Sequence, residues 1–186
     1  MKVFTRAEYQ ILPWKNNLGI TELIATDSNE LFSWRLSAAT ITGPSLFSEY
    51  PGYKRWLTIW KGSGLLLNEY KLTYGLTYEF NGEEKITCKN LSAEIVDLGL
   101  IYNPKKVKAK MEIVNLNLKN NNFTIEIKSQ LSFLFVCQGS IEANMNTLNE
   151  GDTLKSDTPQ KINLKLKTHT SDLVLITIDP KKSKKL

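Results

Sequence analysis

Hydrophobic positions along the chain fall in short runs rather than in long periodic stretches: Phe32 to Ile41, Trp56 to Trp60, Leu65 to Tyr70, Ala93 to Leu98, Met111 to Leu118, Phe123 to Ile127, Leu131 to Cys137, Ile162 to Leu166 and Leu173 to Ile178. Gly, Asn and Pro separate them, and many spacings are close to the roughly 8–12 residues of sandwiches and barrels. This pattern predicts an all-β protein. Only Ser28 to Phe32 and the stretch around Pro104 to Ala109 could hold a short helix or turn, and neither sustains a 3.6-residue period.

Two segments repeat the same plan. Leu57-Thr58-Ile59-Trp60-Lys61-Gly62-Ser63-Gly64, with a later Phe80-Asn81-Gly82-Glu83, matches Leu134-Phe135-Val136-Cys137-Gln138-Gly139-Ser140-Ile141, with a later Asn149-Glu150-Gly151-Asp152. Each reads as an apolar strand, a glycine turn, a second strand and a second polar glycine turn. Glycine supplies the left-handed backbone that sharp turns between paired sheets need, so the unit is that of a double-stranded β-helix, present twice. Asn103-Pro104-Lys105-Lys106 interrupts the pattern. This divides the chain into a leading half of residues 1–104, a trailing half of residues 105–180 and a basic tail of residues 181–186. Within the trailing half, Lys119-Asn120-Asn121-Asn122 reads as a tight turn, because Asn tolerates the left-handed conformation.

The first third of the chain departs from plain alternation. Pro13-Trp14-Lys15-Asn16-Asn17-Leu18-Gly19, then Trp34-Arg35-Leu36-Ser37, then Gly43-Pro44-Ser45-Leu46-Phe47-Ser48-Glu49-Tyr50-Pro51-Gly52-Tyr53-Lys54-Arg55 concentrate Trp, Lys, Arg, Asn and turn residues. On the strand from Trp34 to Ala39, period-2 alternation puts Arg35, Ser37 and Ala39 on one face and Trp34, Leu36 and Ala38 on the other. If the polar face lines a barrel interior, Arg35 is a costly buried charge unless a carboxylate pairs with its guanidinium fork. That carboxylate belongs either to a ligand or to the protein, with Glu22 and Asp97 as the protein's candidates. Lys15 and Asn16 precede a glycine-bearing loop that can wrap an anion as a lid; alternatively, Trp14 anchors the segment and Lys15 faces water.

This block resembles the signature of the HutD/Ves family, small bacterial proteins whose pattern reads as PWKN with glycines, then WR-x-S, then a GP turn leading to a Pro-Gly and an Arg. The resemblance implies a double cupin fold with a pocket, and a link to histidine utilisation. It also points to Asp97, in Ala93-Glu94-Ile95-Val96-Asp97-Leu98-Gly99, where the family carries an Asp-Leu-Asn type motif and this chain has Gly99 in the third position. Other departures are Asn17-Leu18 in place of glycines and Ser45-Leu46 interrupting the GP turn.

Composition narrows the chemistry. The net charge of +5 owes four charges to Lys181, Lys182, Lys184 and Lys185, and falls to +1 without them. A terminal Lys run reads as a solvated tail, so nucleic acid is not an expected partner. No apolar run reaches the ~20 residues that cross a bilayer, and the start of the chain has no signal-type apolar core, so no membrane is expected and the cytoplasm is the default address. Cys88 and Cys137 read as buried thiols. Metal-dependent cupins bind their ion through two or three His and a Glu, whereas this chain has one histidine, His169, in a polar turn. The expectation is therefore no metal and no cofactor. Neither a G-x-S-x-G nor a phosphate-binding glycine loop is present.

The leading expectation is a metal-independent bicupin that binds a small carboxylated metabolite in its leading barrel, with Trp14, Lys15, Asn16, Arg35, Ser37, Arg55 and Asp97 at the site. Its role would be regulatory or accessory in histidine or amino-acid utilisation. Two alternatives stand beside it: a metal-free enzyme of isomerase or hydrolase-like type using an acid/base pair such as Asp97 with Lys15, and an interaction module that forms a homodimer over an uncovered β edge.

Overall fold

The computed structural model describes residues 1–14, 16–117, 119 and 122–181. The chain runs β1 (Lys2–Phe4), a 3-10 turn (Arg6–Glu8), β2 (Gln10–Pro13), β3 (Gly19–Thr26), β4 (Trp34–Ile41), β5 (Ser45–Leu46), β6 (Lys54–Lys61), β7 (Leu65–Leu67), β8 (Tyr70–Leu72), β9 (Thr77–Asn81), β10 (Thr87–Asn90) and β11 (Ile95–Tyr102). It continues as β12 (Val107–Asn117), β13 (Asn122–Ile127), β14 (Leu131–Gln138), β15 (Ser140–Ala143), β16 (Asn146–Asn149), β17 (Thr153–Ser156), β18 (Gln160–Leu166) and β19 (Thr170–Pro180). The all-β expectation holds. Ser28 to Phe32 is a run of bends without helix, and Pro104 to Lys106 is a turn closed by Lys106 and Val107 N–H groups on the Asn103 carbonyl, both at 3.0 Å.

A short helical turn sits elsewhere, at Arg6–Glu8. Thr5 N–H and Thr5 Oγ1 both donate to Glu8 Oε2, at 2.7 and 2.9 Å, capping the turn over Arg6–Glu8. Thr5-Arg6-Ala7-Glu8 is the capping pattern S/T-x-x-E, a signal present in the sequence that the search for long periods passes over. The Glu8 carboxyl is held below its ordinary range by the Thr5 N–H and hydroxyl.

The chain forms two compact units, residues 9–107 and residues 1–8 with 108–186. In the first, the sheet β2-β3-β4-β11-β6-β9 faces the sheet β5-β10-β7-β8. In the second, β1-β17-β14-β19-β12 faces β13-β18-β15-β16. Strand for strand, β9-β6-β11-β4 matches β17-β14-β19-β12, and β5-β10-β7-β8 matches β13-β18-β15-β16, so each unit is the same eight-stranded roll. The reading from sequence started the leading half at residue 1. Lys2–Phe4 instead pair with Lys155, Leu154 and Thr153, which extends the second unit's sheet. Ser45-Leu46, read as an interruption, forms β5 on Cys88 and Thr87. The expected Asn turn and basic tail fall largely outside the described residues, at Asn120, Asn121 and 182–186.

The repeated glycines sit at equivalent corners. Gly62 (φ +92°) and Gly139 (φ +82°) each carry the chain from the larger sheet to the smaller, in a left-handed conformation that L side chains rarely adopt. A Cβ at Gly62 would lie 2.7 Å from the Glu94 carbonyl, and one at Gly139 would run into the Thr170 carbonyl.

The two interiors differ. Leu116, Ile125, Leu134, Val136, Ile141, Ile162 and Leu173 pack together between the sheets of the second unit. In the first unit Ile41, Leu57, Ile59, Leu65, Leu67, Leu72 and Ile95 fill one end, with Phe47 and Phe80 against them. The rest of that barrel is hollow.

Candidate functional site

The hollow of the 9–107 unit is a cavity of about 580 Å³. Its floor is three neighbouring strands in register, β4, β11 and β6. Alternation turns Arg35, Ser37 and Ala39 of β4 to the cavity, while Trp34, Leu36 and Ala38 are buried on the opposite face. The floor therefore has three rungs: Arg35, Ile101 and Arg55; Ser37, Gly99 and Leu57; Ala39, Asp97 and Ile59. Two cations mark one end and a buried carboxyl marks the other.

Trp14, Asn16, Arg35, Ser37, Arg55 and Asp97, all expected at the site, line this one cavity. Lys15 lies outside the described residues. Trp14 closes the β2–β3 hairpin, with its N–H on the Gly19 carbonyl at 3.0 Å and its Nε1 donating to Thr21 Oγ1 at 2.8 Å. Asn16 Oδ1 accepts the Leu18 N–H at 3.0 Å, so this side-chain oxygen shapes the loop. Leu12 and Leu46, both exposed, line the cavity from β2 and β5.

Both arginines lie on aromatic rings. The Arg35 guanidinium carbon sits 4.2 Å from the Phe32 ring centre, and its Nε is buried with no hydrogen-bond partner among the described residues. The Arg55 guanidinium lies 4.7 Å from Phe47, 5.2 Å from Phe80 and 5.9 Å from Tyr50, and its Nη1 donates to the Ser48 carbonyl at 3.3 Å. Phe32, Tyr50 and Tyr53 are themselves clustered, with Tyr53 OH donating to the Phe32 carbonyl at 2.8 Å. Stacked guanidinium groups keep their in-plane N–H donors free for a planar acceptor. Phe32, Phe47, Tyr50 and Phe80 are absent from the sequence-based set because their meeting with arginines depends on loop paths and packing across sheets.

Neither proposed internal partner braces Arg35. Glu22 pairs in register with Ala38, whose parity places it on the face away from Arg35. Asp97 shares the cavity face, but the charge acting on it is Arg55. Asp97 is 4% exposed, and burial pushes its carboxyl up to about 7 against the opposing pull of Arg55 and the Ala39 N–H. Burial likewise draws the Arg55 guanidinium below its ordinary value, opposed by Asp97 and Tyr50. Cys88 is buried and free, and burial, with Asp97 second, pushes its thiol up to about 12; at neutral pH it stays a thiol and an unactivated one. Cys137 is also a buried thiol in no disulfide, as expected, and burial raises it too. His169 is exposed in the turn between β18 and β19.

The described cavity lining offers one carboxylate and no imidazole or thiolate. That donor set does not fit the first-row metal ions that many rolls of this type hold. Among the described residues, no helix is long and apolar enough to cross a membrane.

Two matched β-rolls, one of them hollow and lined by two arginines that lie over aromatic rings, define a double cupin with a cationic interior. The chain belongs to the HutD family, whose model matches residues 6–174. It is similar to HutD from Pseudomonas fluorescens SBW25 (formate condition), at 25% identity over 97% of this chain and 99% of that one, with a TM-score of 0.83. A conserved protein of unknown function from Pseudomonas aeruginosa PAO1 is 24% identical over 96% of this chain and 98% of its own, with a TM-score of 0.82. The fold is shared with the bacterial pirin YhhW of Escherichia coli, in complex with nickel(II), at 12% identity over 97% and 99% of the two chains and a TM-score of 0.68. A Pseudomonas putida protein described as an uncharacterized 21.2 kDa protein in the hutC 3′ region is 36% identical over 120 residues. That alignment spans 60% of this chain and 63% of the relative.

Proposed function

We propose that the cavity of the 9–107 unit binds a small carboxylated metabolite without a metal ion, and that this binding serves a regulatory or accessory role in histidine or amino-acid utilisation. The observation that carries the reading is Arg35: a guanidinium over the Phe32 ring, with its Nε buried and, among the described residues, neither a hydrogen-bond partner for that Nε nor a carboxylate on the guanidinium. A buried cationic donor without an acceptor is costly, and a planar carboxylate is the acceptor its fork matches. Arg55 on the same rung adds a second set of donors. Lys15 is proposed as a further cation for the bound anion, and Asn16, Ser37 and Trp14 as polar and aromatic walls. Support for the pathway comes from membership of the HutD family and from the relative in the hutC 3′ region.

Calorimetry with acetate and with larger carboxylates, amino acids included, tests this reading. Arg35→Ala is expected to weaken carboxylate binding about 10–100-fold, the range for losing hydrogen bonds to a charged group. Arg35→Lys keeps the charge without the fork and falls in between, whereas His169→Ala binds as wild type does. Undiminished binding by Arg35→Ala contradicts the proposal.

One observation favours a second reading, a metal-free enzyme. Asp97 is a buried carboxyl raised to about 7, where it can give or take a proton at neutral pH. Turnover of a bound carboxylate, lost in Asp97→Asn with binding retained, would select this reading. Binding without turnover leaves the first.

A further inference from the structure

The middle rung of the cavity floor is unlike the other two. Arg35, Ile101 and Arg55 fill one rung and Asp97 occupies the third, but between Ser37 and Leu57 the central strand carries Gly99, which has no side chain. The backbone does not call for glycine here. Gly99 is absent from the positive-φ glycines, and its strand pairs regularly with Ser37 on one side and Leu57 on the other. Nor does crowding call for it: a Cβ at 99 would meet Leu57 Cδ1 at 3.4 Å, the Trp56 carbonyl at 3.8 Å and the Ser37 carbonyl at 4.0 Å, all ordinary contact. At Gly62, by contrast, an added Cβ would lie 2.5 Å from Ile95 Cδ1. Glycine inside a strand weakens it and gives up a packing side chain, so the fold gains nothing from the residue at 99. The gain is space inside the cavity that Gly99 lines.

We propose that Gly99 is a specificity-determining position: the missing side chain leaves a notch through which the body of an elongated carboxylate runs from the Arg35–Arg55 rung to Asp97. Four residues of strand put the Ile101 and Asp97 backbones about 13 Å apart, a gap that the side chains at both ends shorten. The ligand class is therefore a carboxylate whose far end bears a hydrogen-bonding group. Asp97 accepts from that group when ionised and donates to it when protonated. A cavity of about 580 Å³ is far larger than a two-carbon acid needs. This inference rests on the carboxylate-binding reading and adds the length and the polar far end of the ligand.

The test uses two probes, acetate and 5-amino-5-oxopentanoate, a five-carbon carboxylate ending in an amide, titrated by calorimetry into wild type, Gly99→Ala and Gly99→Val. Wild type is expected to prefer the longer probe by about tenfold or more, Gly99→Ala to narrow that preference and Gly99→Val to abolish it, with acetate affinity within about twofold throughout. Melting curves accompany each titration, and Gly99→Ala is expected to melt at or above wild type. An unchanged preference in Gly99→Ala and Gly99→Val overturns the inference, as does wild type binding both probes equally. Gly99→Ala melting well below wild type also overturns it, since the glycine then serves the fold. If Gly99→Val fails to fold, Gly99→Ala decides. If wild type binds neither probe, the carboxylate-binding reading itself fails, and this inference with it.

Discussion

Asp97 keeps its proton longer than an exposed aspartate because burial removes water from the charged form, and Arg55 and the Ala39 N–H only partly replace it. The consequence for stability has a definite sign. With a folded pKa of about 7 against roughly 3.9 unfolded, the native state holds a proton that the unfolded chain has lost, so this group's contribution to stability falls as pH rises from about 4 to 7 and is level outside that window. Asp97→Asn, which keeps an acceptor for Ala39, is expected to flatten that slope and to be relatively more stable than wild type at pH 8 than at pH 4 in denaturant titrations. An identical pH slope in the two proteins would show that Asp97 is ionised throughout. Much at this scale was legible beforehand: alternation along Trp34 to Ala39 was enough to put Arg35 and Ser37 on the cavity side. The Phe32, Phe47 and Phe80 surfaces under the arginines were not, because local periodicity carries no information about which loop folds over which strand.

At the scale of elements, the two corners between sheets make the clearest demand on sequence. Gly62 and Gly139 combine a left-handed backbone with crowding by a neighbouring segment, whereas Gly75 has a left-handed backbone (φ +81°) and open space around it. Substitution by alanine therefore separates the two costs. Gly75→Ala is expected to cost about 1–2 kcal/mol, from the backbone alone. Gly139→Ala adds a collision with the Thr170 carbonyl and should cost more than about 2 kcal/mol, read from urea unfolding. Equal losses at Gly75 and Gly139 would mean that the corner relaxes freely. These corner glycines made the internal repeat visible in the sequence, since only a few residue types tolerate such turns. The placement of β1 was hidden for the opposite reason: three residues, Lys2–Phe4, carry no signal of a partner strand about 150 positions away.

For the whole molecule, one roll topology is used twice with different interiors. The second unit fills its roll with Ile125, Leu134, Val136, Ile141 and Leu173, while the 9–107 unit stops its apolar filling at Leu57 and Phe47 and leaves a cationic hollow above them. The carboxylate-binding account assigns ligand recognition to that hollow alone. The most direct measurement is an anomalous difference map, at the bromine edge, of crystals soaked in 4-bromobenzoate, for wild type and for Arg35→Ala. A bromine peak is expected inside the 9–107 barrel of wild type, with the carboxylate on Arg35 and Arg55, and is expected to be lost in Arg35→Ala. A peak confined to the outer surface, or one inside the barrel that survives in Arg35→Ala, would contradict it.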